Sequence, residues 1–203
     1  FANNITYKDA ADMWIHEGFT AYSESLFLDY YYGTKAASEY VIGTRSSIRN
    51  DKPIIGVYNV NSEGSSDMYY KGANMLHTLR QIIKNDDKWR QILRGLNTEF
   101  HHQTVTTKQI ESYISNESGL NLEAFFDQYL RDTRIPTLEY RLKDNILSYR
   151  WTQVVNGFEM PIEINFSREK KWLYPTEVWQ EIELNSTEID VDIDYYIKYN
   201  KVQ

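Results

Sequence analysis

The sequence predicts an α+β fold, with a mainly helical lobe over residues 1–133 followed by a small β-sandwich over residues 134–203. Three observations predict it. Apolar residues recur at helical spacing through the first part, as in Met68, Met75, Leu76, Leu79, Ile82 and Ile83. After Thr133-Arg134-Ile135-Pro136 the period falls to two, in Leu138-Glu139-Tyr140-Arg141-Leu142 and Ile146-Leu147-Ser148-Tyr149-Arg150-Trp151. The turn formers Asp144-Asn145 and Asn156-Gly157 punctuate that second part.

Residues 1–10 read as a short extended stretch and turn, with Thr6 and Asp9 at N-cap spacing. The first helix runs from Asp12 to about Tyr32, because Met13, Ile15, Phe19, Ala21 and Tyr22 do not alternate, and Gly33 stops it. A second helix covers residues 34–49 and ends before Pro53, since the residue preceding a proline is disfavoured in the helical region. Residues 53–66 read as a loop with a strand-like patch at 54–58 and a flexible Gly64-Ser65-Ser66. Loops of that length in compact domains tend to carry function. Asp67 is the expected N-cap of the next helix. Helices over 87–97, 107–116 and 122–132 follow, and the period of two continues through 162–166 and 191–195.

Composition bounds the function. With 41% hydrophobic and 25% charged residues in 203, the chain can bury a substantial core. A net charge of −7 argues against nucleic acid or an anionic membrane as partner, both of which call for basic patches. There is no cysteine, so any metal must be held by His and carboxylate. That absence fits an exported protein as well as a cytosolic one, with a lean toward an exported or periplasmic setting. No apolar run approaches the roughly 20 residues of a membrane span. Nucleophile-elbow, phosphate-loop and dinucleotide fingerprints are missing from the sequence.

Glu17 and Glu24 are seven residues apart on the first helix and therefore share a face. On a polar helix this would be a solvated face. Here Trp14, Phe19, Tyr22 and Phe27 predict partial burial, and a buried carboxylate must be paired, hydrogen-bonded or metal-bound. Glu24 can brace a metal ligand from behind. His16 is turned about 100° from Glu17 around the helix, and His77 reads as a packed or surface residue. The His101-His102 pair reads as a loop tip.

The run Asp12-Met13-Trp14-Ile15-His16-Glu17-Gly18-Phe19-Thr20-Ala21-Tyr22-Ser23-Glu24 resembles the W-L-N-E-G-F-A-x-Y-x-E segment of the gluzincin zinc aminopeptidases, the family of aminopeptidase N and puromycin-sensitive aminopeptidase. The resemblance implies that Glu17 is the third zinc ligand, after two His of an upstream H-E-x-x-H whose second His falls at the third residue before Phe1. Phe1-Ala2-Asn3-Asn4-Ile5-Thr6 resembles the family's x-W-F-G-N-x-V-T in that register. The same resemblance implies that the upstream part of the polypeptide completes the site, with the general-base Glu, and that this chain alone is inactive. His16 departs from the family's Asn, and Asp12 matches an Asp read as structural.

Tyr69-Tyr70-Lys71-Gly72-Ala73 resembles the family's Y-x-K-G-A motif, whose Tyr hydrogen-bonds the tetrahedral intermediate, so the resemblance makes Tyr69 catalytic. Phe125-Phe126-Asp127-Gln128-Tyr129-Leu130 resembles the F-F-x-Q-W-L segment that closes the catalytic domain. The helical lobe is accordingly expected to be the C-terminal part of a thermolysin-like catalytic domain. The implied activity is removal of N-terminal residues from peptides, with one zinc ion as cofactor. A non-catalytic module that binds peptide or carbohydrate is the alternative, which the abundance of Tyr and Trp permits.

Overall fold

The structure, a computed structural model, describes residues 4–202. Phe1, Ala2 and Asn3, on which part of the upstream register rests, lie outside the described residues. Strand β1 (Ile5–Tyr7) pairs in parallel with β2 (Gln103–Val105) and so ties the start of the lobe to its middle. Asp9 alone, without Thr6, then caps a 3₁₀ turn, its carboxylate accepting the Ala11 amide at 3.0 Å. Helix α1 (Trp14–Tyr32) ends at Gly33, whose φ of +88° suits a residue without Cβ.

Helix α2 (Thr34–Gly43) is shorter than its sequence pattern and gives way to a 3₁₀ turn, Thr44–Ser47. Tertiary partners end it. The Asp67 carboxylate accepts the amides of Arg49 and Asn50 at 2.9 and 2.6 Å, and Arg45 swings to Asn74 at 2.7 Å. Asp67 is thereby diverted from its expected capping role. Ser65 caps a short 3₁₀ turn, Ser66–Met68, and helix α3 (Tyr70–Ile83) follows.

Helices α4 (Asp86–Glu99) and α5 (Thr107–Ser118) start on side-chain caps from Asn85 and Thr106. Helix α6 (Glu123–Phe126) continues as a π-helical turn, Asp127–Arg131. The two indoles buried in the lobe are satisfied: Trp14 donates to Thr107 at 2.8 Å and Trp89 to the Tyr22 hydroxyl at 3.1 Å.

The sandwich pairs two sheets. One has the order β7-β4-β3-β9, from Gln180–Glu183, Ile146–Thr152, Thr137–Lys143 and Lys198–Lys201; the other has β6-β5-β8, from Glu169–Leu173, Ile162–Phe166 and Asp190–Val191. Asp144 and Asn145, both at positive φ, make the two-residue turn between β3 and β4. The alternation expected through residue 195 breaks after Val191, because the Asp192 carboxylate accepts the Asp194 amide at 2.9 Å and turns the chain.

That turn reaches the lobe. His77 Nε2 lies 2.9 Å from Asp194 Oδ1, and since a carboxylate only accepts, Nε2 carries the proton. Thr78 accepts the Tyr196 amide at 2.8 Å, while Gln128 bonds the carbonyls of Arg134 and Gln153 and the Val155 amide. Lobe and sandwich share one continuous apolar core.

Candidate active site

Glycine decides how closely α1 and α3 approach. A Cβ on Gly72 would lie 3.0 Å from the Gly18 Cα, and one on Gly18 would lie 3.2 Å from the Met68 carbonyl oxygen. The two backbones touch, a spacing that larger residues would forbid. Glu17 immediately precedes one glycine and Tyr69 stands three residues before the other, so the crossing sets them side by side.

The Tyr69 phenol lies close enough to the Glu17 carboxylate to feel its charge. Partial burial pushes its pKa upward, and the nearby negative charge of Glu17 pushes it further in the same direction. Raised in this way, the phenol keeps its proton at neutral pH and stays a donor. Tyr69 is nevertheless 41% exposed and open to solvent. Glu17 is half-buried. Sequence reasoning thus named two residues that the fold brings together across some fifty positions of chain.

Replacing Gly72 by Ala sets a gain in helix propensity of about 1 kcal/mol against overpacking of about 1–3 kcal/mol on the backbone of α1. The expected net is a destabilisation of about 1 kcal/mol, with a proportionally larger loss of any activity that needs Glu17 and Tyr69 in register. Denaturant melts alongside kinetics check it; a more stable, fully active variant would show that the close approach is dispensable.

Glu24 lies farther along the same face of α1, exposed, and accepts the Tyr40 hydroxyl from α2. That hydrogen bond is the main reason the Tyr40 phenol is pushed up to about 12. Phe27, expected to help bury this helix, is 56% exposed. His16 turns away, bonding the Ile5 carbonyl at 2.7 Å and packing on Tyr7. Asp12 is buried and takes the Tyr58 hydroxyl at 2.7 Å and the Thr107 amide at 3.1 Å, a structural anchor. His77 belongs to the contact with the sandwich, and His101 and His102 stack on each other at the surface.

The loop over residues 53–66 differs most from expectation. Its patch at 54–58 forms no strand; Ile55 donates to the Leu130 carbonyl and Gly56 to that of Ala11 instead. Gly64-Ser65 is buried and fastened: the Ser65 amide bonds the Pro53 carbonyl at 2.9 Å and its hydroxyl bonds Asp51 at 2.7 Å. A Cβ on Gly64 would fall 1.7 Å from the Ile54 oxygen, so the loop closes on itself through glycine.

Two further residues were not singled out as site residues by sequence. Glu63, from this loop, adds its charge to the surroundings of Tyr69. Lys71 is buried, donates to the Asp132 carbonyl at 2.8 Å, and is brought down to about 8 by desolvation. Its place beside Tyr69 in the motif was visible, but its burial was not.

Among the described residues no three His, Cys, Asp or Glu side chains gather as a metal cage. Glu17 fits the part of a single ligand: it is a half-buried carboxylate, and no cation among the described residues pairs with it.

A scan of protein families matches residues 1–129 to the Peptidase family M1 domain. Among solved structures, the crystal structure of Legionella pneumophila aminopeptidase A in complex with aspartic acid is similar, with a TM-score of 0.67 and 16% identity. The match covers 98% of this chain and 25% of that one, so the likeness is one of fold over a quarter of the larger chain. No curated protein matches the chain.

Proposed function

The chain belongs to peptidase family M1, and we propose that it forms part of the active site of a zinc aminopeptidase acting on peptides with a free N-terminus. The observation that carries this reading is the meeting of Glu17 and Tyr69 where α1 and α3 touch. Glu17 would give one carboxylate oxygen to the metal. Two His ligands and a general-base Glu are assigned to the upstream part of the polypeptide. Zinc held there supplies a Lewis acid and a water of lowered pKa.

Tyr69 donates its hydroxyl hydrogen to the oxygen of the scissile carbonyl as negative charge grows on it, which is where a preorganised donor lowers the barrier most. Glu24, held by Tyr40, braces the ligand side of α1. An exported or periplasmic setting remains part of the proposal.

The test uses the full-length polypeptide, an unblocked peptide and its N-acetylated counterpart. The expected result is hydrolysis of the first alone, lost on chelation and restored by zinc. Hydrolysis that survives chelation would sink the metal assignment. Binding without hydrolysis would favour the peptide-binding module instead.

A further inference from the structure

An open cleft of about 580 Å³ is lined by Ala10, Met13, Asn61, Ser62 and Glu63. The Met13 carbonyl accepts the Glu17 amide at 3.2 Å, so Met13 stands one helical turn before Glu17 and their side chains share a face. One wall is the closed loop. Asn59 and Asn61 sit at positive φ, and the Asn59 amide is fastened to the Asp9 carboxylate at 2.9 Å, so Glu63 is presented from a fixed turn. Of the five lining residues only Glu63 carries charge, and that charge is felt at the Tyr69 phenol. Ala10 and Met13 offer an apolar floor.

We propose that Glu63 is a specificity residue, selecting a lysine or arginine side chain in the substrate residue next to the scissile bond. The aliphatic stem of such a side chain lies along Ala10 and Met13 while its cationic head meets the Glu63 carboxylate, the usual division of labour for an amphipathic side chain. Asn61 and Ser62 supply neutral acceptors for the remaining N–H groups. The inference rests on the peptidase reading. It adds a preference that Glu17 and Tyr69, which act on the peptide bond itself, do not provide.

The experiment compares kcat/KM of the full-length protein on peptides carrying Lys or norleucine at the residue on each side of the scissile bond. A preference for Lys of about three- to fivefold at one of the two positions is expected, the size of a solvent-exposed ion pair, and it should shrink in high salt. Glu63→Gln should abolish the preference and Glu63→Lys invert it, while the norleucine peptide stays within about twofold of the unsubstituted protein. An unsubstituted protein that cleaves both peptides without preference overturns the assignment, as does a preference unchanged in Glu63→Gln. A parallel loss on the norleucine peptide would mean that Glu63 shapes the fold and does not read the substrate. Failure of the unsubstituted protein to cleave any peptide instead removes the peptidase reading and this inference with it.

Discussion

Tyr69→Phe in the full-length protein is expected to lower kcat by about 10²–10³-fold, the loss that follows removal of one oxyanion donor. KM should change little, because the hydroxyl is asked to act as charge develops and not when the peptide first binds. The substitution removes one oxygen from a side chain 41% exposed to solvent, so the thermal melt should be unaltered. Tyr70→Phe is the matched control: it changes the neighbouring phenol, at the first position of α3, and should leave kcat near its starting value. A loss below about tenfold in Tyr69→Phe, or equal losses in both variants, would remove Tyr69 from the chemistry.

Glu17→Gln tests the other half of the pair. The amide keeps the shape of the carboxylate and loses its charge, so metal affinity should fall by more than the roughly 10–100-fold that outer partners of a ligand cost. Zinc per chain, measured after dialysis, should drop together with activity. Glu24→Gln sets the scale, because a residue that only braces a ligand should stay within that 10–100-fold range. If Glu24→Gln proved the more damaging of the two, the ligand assignment would have to move along the helix. Glu17→Gln should also relieve the upward push on the Tyr69 phenol, which a phenolate titration by absorbance can follow in the variant.

Much of the fold was legible because its determinants are local. Gly33 stops α1 and Asp144-Asn145 turns the β3–β4 hairpin, as their chain neighbours alone imply. The expectations that failed concern side chains claimed by distant partners. Asp67 looks like a helix cap until Arg49 and Asn50, far back in the chain, present their amides to it. Residues 191–195 alternate convincingly, yet Asp192 folds the segment under so that Asp194 can meet His77. Gly64-Ser65 has the composition of a mobile linker and the surroundings of a buried clasp.

The candidate site divides along the same line. Glu17 and Tyr69 could be named because their motifs are short and contiguous. The Gly18–Gly72 contact that unites them, and the placing of Glu63 at the cleft, depend on how helices and loop assemble in three dimensions.

The turn at Asp194 gives the sandwich a hold on the helical lobe. His77 and Thr78 both lie on α3, the helix that begins immediately after Tyr69, and both are engaged by residues 194–196. Excising the lobe by itself would open these buried polar groups to solvent and strip apolar cover from the outer side of that helix. The helical lobe and its β-rich neighbour are therefore better regarded as one cooperative unit, in which a lesion at residues 194–196 can loosen the start of the helix that Tyr69 precedes.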